Sequence, residues 1–131
     1  MIDLLLKRSL SVEDIASLLF FVTGLSLGRI FVVANENFLS MKDHDFSQCD
    51  CLCVFSHISG DASLLLQIFR CEMETEILKK KIISACLDLK IECYVPCDSF
   101  DEWIYVSEGG EINQVVQIES ELEDRYLFQA T

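Results

Sequence analysis

The stretch EMETEILKKKIISACLDLK, residues 72–90, decides the fold class because it predicts a long helix between two groups of strands. Its first turn carries Glu72, Glu74 and Glu76, and lysines follow at 79–81. Acids before bases is the order that the helix dipole favours. Apolar side chains recur at helical spacing and predict one core-facing stripe, made of Leu78, Ile82, Ala85, Cys86 and Leu89.

A second helix is predicted over residues 12–23. Ser11 and Asp14 have the spacing of a capping box, with Asp in place of Glu. The buried stripe of this helix is predicted to be Ile15, Leu18, Leu19 and Val22. Phe20 and Phe21 widen the stripe, so we expect this helix to be covered on more than one side.

Short β-branched and aromatic runs between turn residues predict the strands. They occupy residues 29–34, 51–58, 63–71, 92–96, 103–107 and 111–118, with a last short strand at 126–128. Glu108-Gly109-Gly110 marks the clearest hairpin, and residues 35–50 read as a loop with one helical turn near Phe38. We therefore expect a single α+β domain over residues 1–131, in the order α-β-β-β-α-β-β-β. Two main helices would pack on a mostly antiparallel sheet of five to six strands.

The charge is concentrated near the C-terminal end of the sequence. Residues 92–131 hold ten acids and one base, Arg125, whereas residues 1–91 hold twelve acids and nine bases. The net charges are therefore −9 and −3, which sum to the −12 of the chain. One-signed charge opposes compaction but attracts a basic partner. Direct binding to nucleic acid or to an anionic membrane surface is disfavoured, because both need Lys and Arg.

The seven cysteines predict free thiols in a reduced, cytoplasmic protein, since an odd number cannot pair fully and no basic leader segment begins the chain. Cys49, Cys51, Cys53 and His57 could suggest a metal site, but alternate residues of a strand lie too far apart to share one zinc ion. We expect no metal and no cofactor. Asp43-His44-Asp45 is typical of a solvated loop. Cys97 lies beside Asp98 and is a poor nucleophile, because nearby acids raise the pKa of a thiol. We expect the protein to have no enzymatic activity.

The segment DSFDEWIY, residues 98–105, mixes acids with aromatic residues, as protein interfaces do. The alternative is that Trp103 and Tyr105 face the core while the acids are solvated. Glu119, Glu121 and Glu123 alternate, so an extended chain would present them on one face, either as a second acidic stripe or as a solvated edge strand. The predicted partner-binding residues are Asp98, Asp101, Glu102, Trp103, Tyr105, Glu108, Glu111, Glu119, Glu121 and Glu123.

In its size, its acidity, its Ser11-capped helix, its RIFVVA strand (residues 29–34) and its acidic C-terminal hairpin, the chain resembles bacterial immunity proteins. The resemblance is to those of toxin–immunity pairs, of the contact-dependent growth-inhibition type. It implies a cytoplasmic inhibitor that binds one basic toxin domain, often a nuclease, as a heterodimer. No residue roles transfer.

The predicted element order also resembles that of type III secretion class I chaperones, which are small, acidic homodimers. This chain departs from their pattern because it has no clear amphipathic helix at its C-terminal end. A chaperone of this kind is the alternative expectation.

Overall fold

The computed structural model describes residues 2–41 and 46–131, so the predicted Asp43-His44-Asp45 loop lies outside the described residues. The helices of the described part are α1 (Val12–Thr23), α2 (Asn35–Leu39) and α3 (Thr75–Leu89), with a 3-10 turn at Leu27–Arg29. The strands are β1 (Ile2–Leu6), β2 (Ile30–Ala34), β3 (Cys51–His57), β4 (Ser59–Gly60), β5 (Leu64–Arg70), β6 (Cys93–Pro96), β7 (Glu102–Val106), β8 (Ile112–Ile118) and β9 (Arg125–Ala130).

The strands form one mixed sheet in the order β2-β3-β5-β1-β6-β7-β8-β9-β4. The pairs β2–β3 and β4–β9 are parallel, and the other pairs are antiparallel. Since β4 follows β3 directly in the chain, its pairing with β9 requires the sheet to curl back on itself. Hydrogen bonds that hold this closure run from Ser59 N–H to Asp124 C=O (3.0 Å), from Asp61 N–H to Tyr126 C=O (2.7 Å) and from Phe128 N–H to an Asp61 carboxylate oxygen (2.8 Å).

Side chains alternate between the two faces of the sheet along each strand, and each face carries a buried cluster. On one face, α1 and α3 pack against strand residues such as Leu4, Cys53 and Val95. On the other face, the curl encloses a second cluster that includes Leu5, Tyr94 and Trp103. A third cluster packs beneath α2, and its members are Val33, Cys49, Leu52, Val54, Phe31, Phe38, Met41 and Phe46.

The structure confirms the α+β class and corrects the predicted sheet. The described part has nine strands rather than five or six, and the order begins with a strand. β1 was missed although it pairs with β5 on one side and β6 on the other. The five residues of β1 do not alternate between apolar and polar side chains, so they give no clear strand pattern. The strand is instead defined by its two distant partners.

Helix α1 has its predicted bounds, whereas α3 begins at Thr75 rather than at residue 72, so only Glu76 of the three predicted acids lies in its first turn. Ser11 caps α1 by accepting a hydrogen bond from Asp14 N–H at 3.1 Å, and the predicted stripe of α1 is buried. Two further expectations were wrong. Phe20 and Phe21 are about half exposed rather than covered, and Leu89 is 45% exposed because it ends α3 beyond the core. No helix of the described residues is both long enough and apolar enough to cross a bilayer.

The partly buried carboxyl of Asp3 lowers the stability of the fold at neutral pH, and a conservative substitution can measure by how much. Burial raises the pKa of this carboxyl, a hydrogen bond from Gln67 lowers it less, and Oδ1 is buried without a hydrogen-bond partner. A folded-state pKa above the unfolded value means that stability falls as pH rises through that interval. We therefore expect Asp3→Asn to raise the free energy of unfolding at pH 7. The gain should shrink as pH falls through the raised pKa, as urea titrations at several pH values would show; an equal gain at all pH values would contradict the assignment.

Candidate functional site

The turn between β6 and β7 presents an aromatic side chain between two acids. Residues 98–101 form a tight turn that Cys97 N–H and Glu102 C=O close at 2.9 Å. Asp101 ends it in the left-handed region, at φ 65°, a conformation that Asp tolerates better than most residues. Phe100 lies at the tip and is 91% exposed, the largest value among the large hydrophobic residues of the described part.

The turn between β8 and β9, residues 119–124, lies at the same end of the sheet. β7 and β8 are antiparallel, and Gln117 N–H donates to Asp101 C=O at 2.7 Å, which joins the end of β8 to the first turn. A shallow depression of about 240 Å³ lies between the two turns. Its lining includes Asp101, Glu119, Leu122, Glu123 and Arg125.

We call residues 97–101 and 119–124 the acidic end. These two turns contain six acids and no base, namely Asp98, Asp101, Glu119, Glu121, Glu123 and Asp124. All six are exposed, and within the described part only Asp98 forms an ion pair, with Lys79 at 3.4 Å. The predicted extended stripe of Glu119, Glu121 and Glu123 is corrected, because the chain turns there instead of continuing as a strand. The turn places Glu119 and Glu123 around the same depression as Asp101.

Two of the predicted acids lie elsewhere. Glu108 and Glu111 belong to the β7–β8 turn, at the other end of a strand that is roughly 17 Å long at 3.4 Å per residue. Glu108 pairs with Arg8 at 3.8 Å. Arg8 therefore offsets part of the charge at that end, and these two acids do not join the acidic end.

Trp103 and Tyr105 lie inside the curled face of the sheet. This is the arrangement expected under the second interpretation above, in which both side chains face the core. Trp103 is 8% exposed, its Nε1–H donates to Gln117 Oε1 at 3.1 Å, and its ring meets Phe128 edge-on. Tyr105 stacks on Tyr94 and donates its hydroxyl to the Glu92 carboxylate. Burial is the larger cause and that hydrogen bond the next largest, and they raise the pKa of Tyr105 to about 12. Trp103 and Tyr105 therefore belong to the cluster inside the curled sheet and are not exposed anchors.

Glu102 connects the acidic end to the sheet. Its carboxylate is half-buried and accepts a hydrogen bond from Gln114 Nε2 at 2.8 Å. One carboxylate oxygen of Glu102 therefore already has a hydrogen-bond partner within the chain. In sequence, Glu102 directly follows Asp101 of the acidic end.

The thiols of Cys51 and Cys97 are poorly suited to nucleophilic chemistry. Burial, more than the neighbouring Cys71 and Cys49, raises the pKa of Cys51 to about 12. Burial also raises the pKa of Cys97, and the Glu102 carboxylate adds to this effect. Thiolates are the reactive form, so both shifts disfavour attack. Among residues 2–41 and 46–131, no three His, Cys, Asp or Glu side chains are grouped as metal ligands would be.

Two exposed apolar residues of the acidic end, Phe100 and Leu122, are not among the predicted site residues. Phe100 lay within the segment singled out above, but composition alone could not separate it from the buried Trp103. Leu122 is likewise exposed, and it lies in the second turn. The available signal was their position inside turns rather than strands, because a turn residue has no opposite strand to cover it.

Comparison of the chain with protein-family models, with curated proteins and with solved structures finds no match, so its function has to be inferred from its own geometry.

Proposed function

We propose that this protein is a non-enzymatic immunity protein that binds and neutralises a basic toxin domain through its acidic end. One observation carries the proposal: a phenylalanine that is 91% exposed lies between Asp98 and Asp101, beside a depression lined by further acids. Exposed aromatic residues of this kind are typical anchors of protein interfaces. Covering the Phe100 ring with a partner would remove apolar surface from water, which favours association.

The charge of the acidic end supports a basic partner rather than a neutral one. Its exposed acids repel one another, and lysine or arginine residues of a partner would relieve that repulsion. Surface bases of a nuclease are the residues that bind nucleic acid. A carboxylate surface that pairs with them would block substrate binding, which is the neutralisation we propose.

A pull-down from the native host tests this function. The full chain serves as bait, and we expect a basic toxin domain at a one-to-one ratio; cells that express the toxin should survive only when this chain is present. Recovery of no basic protein, or of a partner whose toxicity the chain does not reduce, would reject the proposal.

The rate of association should depend on the exposed acids of the depression. We expect the triple variant Asp101→Asn, Glu119→Gln, Glu123→Gln to bind the toxin on the order of tenfold more slowly at low salt, because electrostatic steering is reduced. Stopped-flow fluorescence at several salt concentrations measures the rate. The difference should shrink above roughly 0.5 M salt, where the screening length falls to a few ångströms.

The matched control removes three exposed acids from other surfaces: Glu13→Gln, Glu72→Gln and Asp88→Asn. It changes the net charge by the same amount, so it separates the local field from the total charge. Equal slowing by both triple variants would show that the acidic end has no special role.

A secretion chaperone is the second candidate, and one surface favours it. Phe20, Phe21 and Leu89 are exposed and line an apolar depression of about 340 Å³ between α1 and the end of α3. An extended segment of a secreted protein would bind there through apolar side chains. Under this alternative, replacing Phe21 would weaken binding and replacing Phe100 would not.

A further inference from the structure

Two of the thiols lie on neighbouring strands and on the same face of the sheet. In the antiparallel pair of β3 and β5, Leu52 lies opposite Arg70, so the next pair outward in that register is Cys51 and Cys71. Cys51 belongs to the buried cluster that α1 and α3 cover, and Cys71 packs against the same cluster. The two cysteines are therefore cross-strand neighbours.

The spacing of such a pair suits a disulfide. Opposite Cα atoms of antiparallel strands lie about 4.5–5.5 Å apart, and disulfides usually join Cα atoms about 4.4–6.8 Å apart. The pKa of Cys51 reflects the same proximity, because burial is the largest cause of its rise to about 12 and the Cys71 thiol is the next largest. The two sulfurs can therefore be joined while β3 and β5 stay paired.

Cys71 is the member of the pair that solvent reaches. Its side chain is partly exposed, whereas Cys51 is fully buried. Cys71 lines a depression of about 310 Å³ whose lining also includes the acids Asp50 and Glu72. The net charge of −12 would repel an anionic reagent, but a small uncharged oxidant can enter.

We infer that Cys71 and Cys51 form a redox site, in which hydrogen peroxide oxidises Cys71 and Cys51 then closes a disulfide with it. In the first step the Cys71 sulfur attacks one peroxide oxygen, the O–O bond breaks, and the thiol proton leaves with the other oxygen as water. In the second step the Cys51 sulfur attacks the sulfur of this sulfenic acid, and the hydroxyl group leaves with the Cys51 proton as a second water. The two thiols together lose two electrons, and one peroxide is reduced.

The environment of Cys51 makes it the second thiol to react rather than the first. Thiolate is the attacking form, and burial keeps the Cys51 thiolate rare at neutral pH. Once Cys71 is oxidised, the attack by Cys51 is intramolecular, and the neighbouring position of the two sulfurs raises its rate. We therefore expect the sulfenic acid to form first and the disulfide to follow from it.

A second pair of neighbouring thiols lacks this access. The Cys93 thiol is hydrogen-bonded to that of Cys86, and both residues are 0% exposed. Proximity alone therefore does not select a pair for oxidation. The depression at Cys71 distinguishes the two pairs, so the buried pair serves as an internal control.

Peptide mapping of the full chain tests this site. The reduced protein is treated with a few equivalents of hydrogen peroxide, the remaining thiols are alkylated, and the chain is digested with trypsin. Trypsin cuts after Arg70, so Cys71 lies in a peptide without another cysteine, residues 71–79, and tandem mass spectrometry locates its partner. We expect a disulfide between Cys71 and Cys51, loss of two of the seven thiols, and recovery of both with dithiothreitol.

Variants separate the roles of the two thiols. Cys71→Ser alters a partly exposed residue and should abolish the disulfide. Cys51→Ala should leave Cys71 as a sulfenic acid, which the sulfenic-acid reagent dimedone would label after peroxide treatment. Cys97→Ser is the matched control, because Cys97 is the other partly exposed thiol, and it should leave the disulfide unchanged. Circular dichroism confirms that each variant is folded.

The redox site lies apart from the acidic end, since β1 and β6 separate β5 from β7. Its test needs no toxin, so its outcome is independent of the proposed function. Seven unreacted thiols after peroxide treatment would overturn the inference. So would a disulfide between Cys86 and Cys93 in place of the expected one, or loss of two thiols in Cys71→Ser as readily as in the unaltered chain.

Discussion

Replacing Phe100 with alanine should weaken toxin binding by roughly 2 kcal/mol, about thirtyfold in Kd, without lowering the stability of the free protein. The loss follows because an aromatic anchor contributes its energy only when a partner covers it. The free protein should be unaffected because 91% of the residue is already in water. Isothermal titration calorimetry against the recovered toxin domain measures the loss, and thermal unfolding measures stability.

Phe21→Ala is the matched control for that variant. Phe21 is also a phenylalanine and is 53% exposed, but it lies on α1, away from the acidic end. We expect it to leave toxin affinity within about twofold of the unaltered chain, as exposed residues outside an interface do. A larger loss for Phe21→Ala than for Phe100→Ala would favour the chaperone alternative and contradict the acidic end.

The second large effect concerns the closure of the sheet at Gly60. We expect Gly60→Ala to lower the free energy of unfolding by about 3 kcal/mol, or about 10 °C in Tm for a chain of this size. Gly60 has φ +93°, and a Cβ there would lie 2.2 Å from the Tyr126 carbonyl oxygen. Accommodating the methyl group requires β9 to move away from β4. Differential scanning calorimetry measures the shift.

Substitutions at two other glycines separate the effect of backbone strain from the effect of the close contact with Tyr126. Gly24 has φ +74°, and a methyl group added there would meet nothing within 4 Å, so Gly24→Ala should cost only the backbone strain, about 1 kcal/mol. Gly109 has neither a positive φ nor a contact closer than 3.9 Å, so Gly109→Ala should be nearly neutral. If Gly60→Ala cost no more than Gly24→Ala, the close approach of β4 and β9 would be wrong.

Local patterns were sufficient for the elements that depend on their own residues. The capping box at Ser11, the helical spacing of α3 and the glycine pair of the β7–β8 hairpin each fix a structure within a few residues. Elements defined by distant partners escaped prediction. β1 is a strand because β5 and β6 flank it, and β4 exists only because β9 curls back to it.

The excess negative charge of the candidate site could be predicted from the sequence, but the arrangement of its two turns could not. The excess of acids in residues 92–131 is visible in the sequence, but the prediction wrongly grouped Glu108 and Glu111 with Asp101. The turn that gathers Glu119 and Glu123 was not visible, because their alternation is equally compatible with an extended strand. Nor could composition rank Phe100 above Trp103, since Phe128 and Gln117, which cover Trp103, come from later strands.

Hydrogen–deuterium exchange on the recovered complex tests the central claim most directly. If the acidic end is the docking surface, amides of residues 97–101 and 119–124 should exchange more slowly in the complex than in the free chain. The β7–β8 turn at residues 107–111 and helix α1 should exchange at unchanged rates. Protection confined to α1 or to residues 107–111, with the acidic end unchanged, would contradict the account.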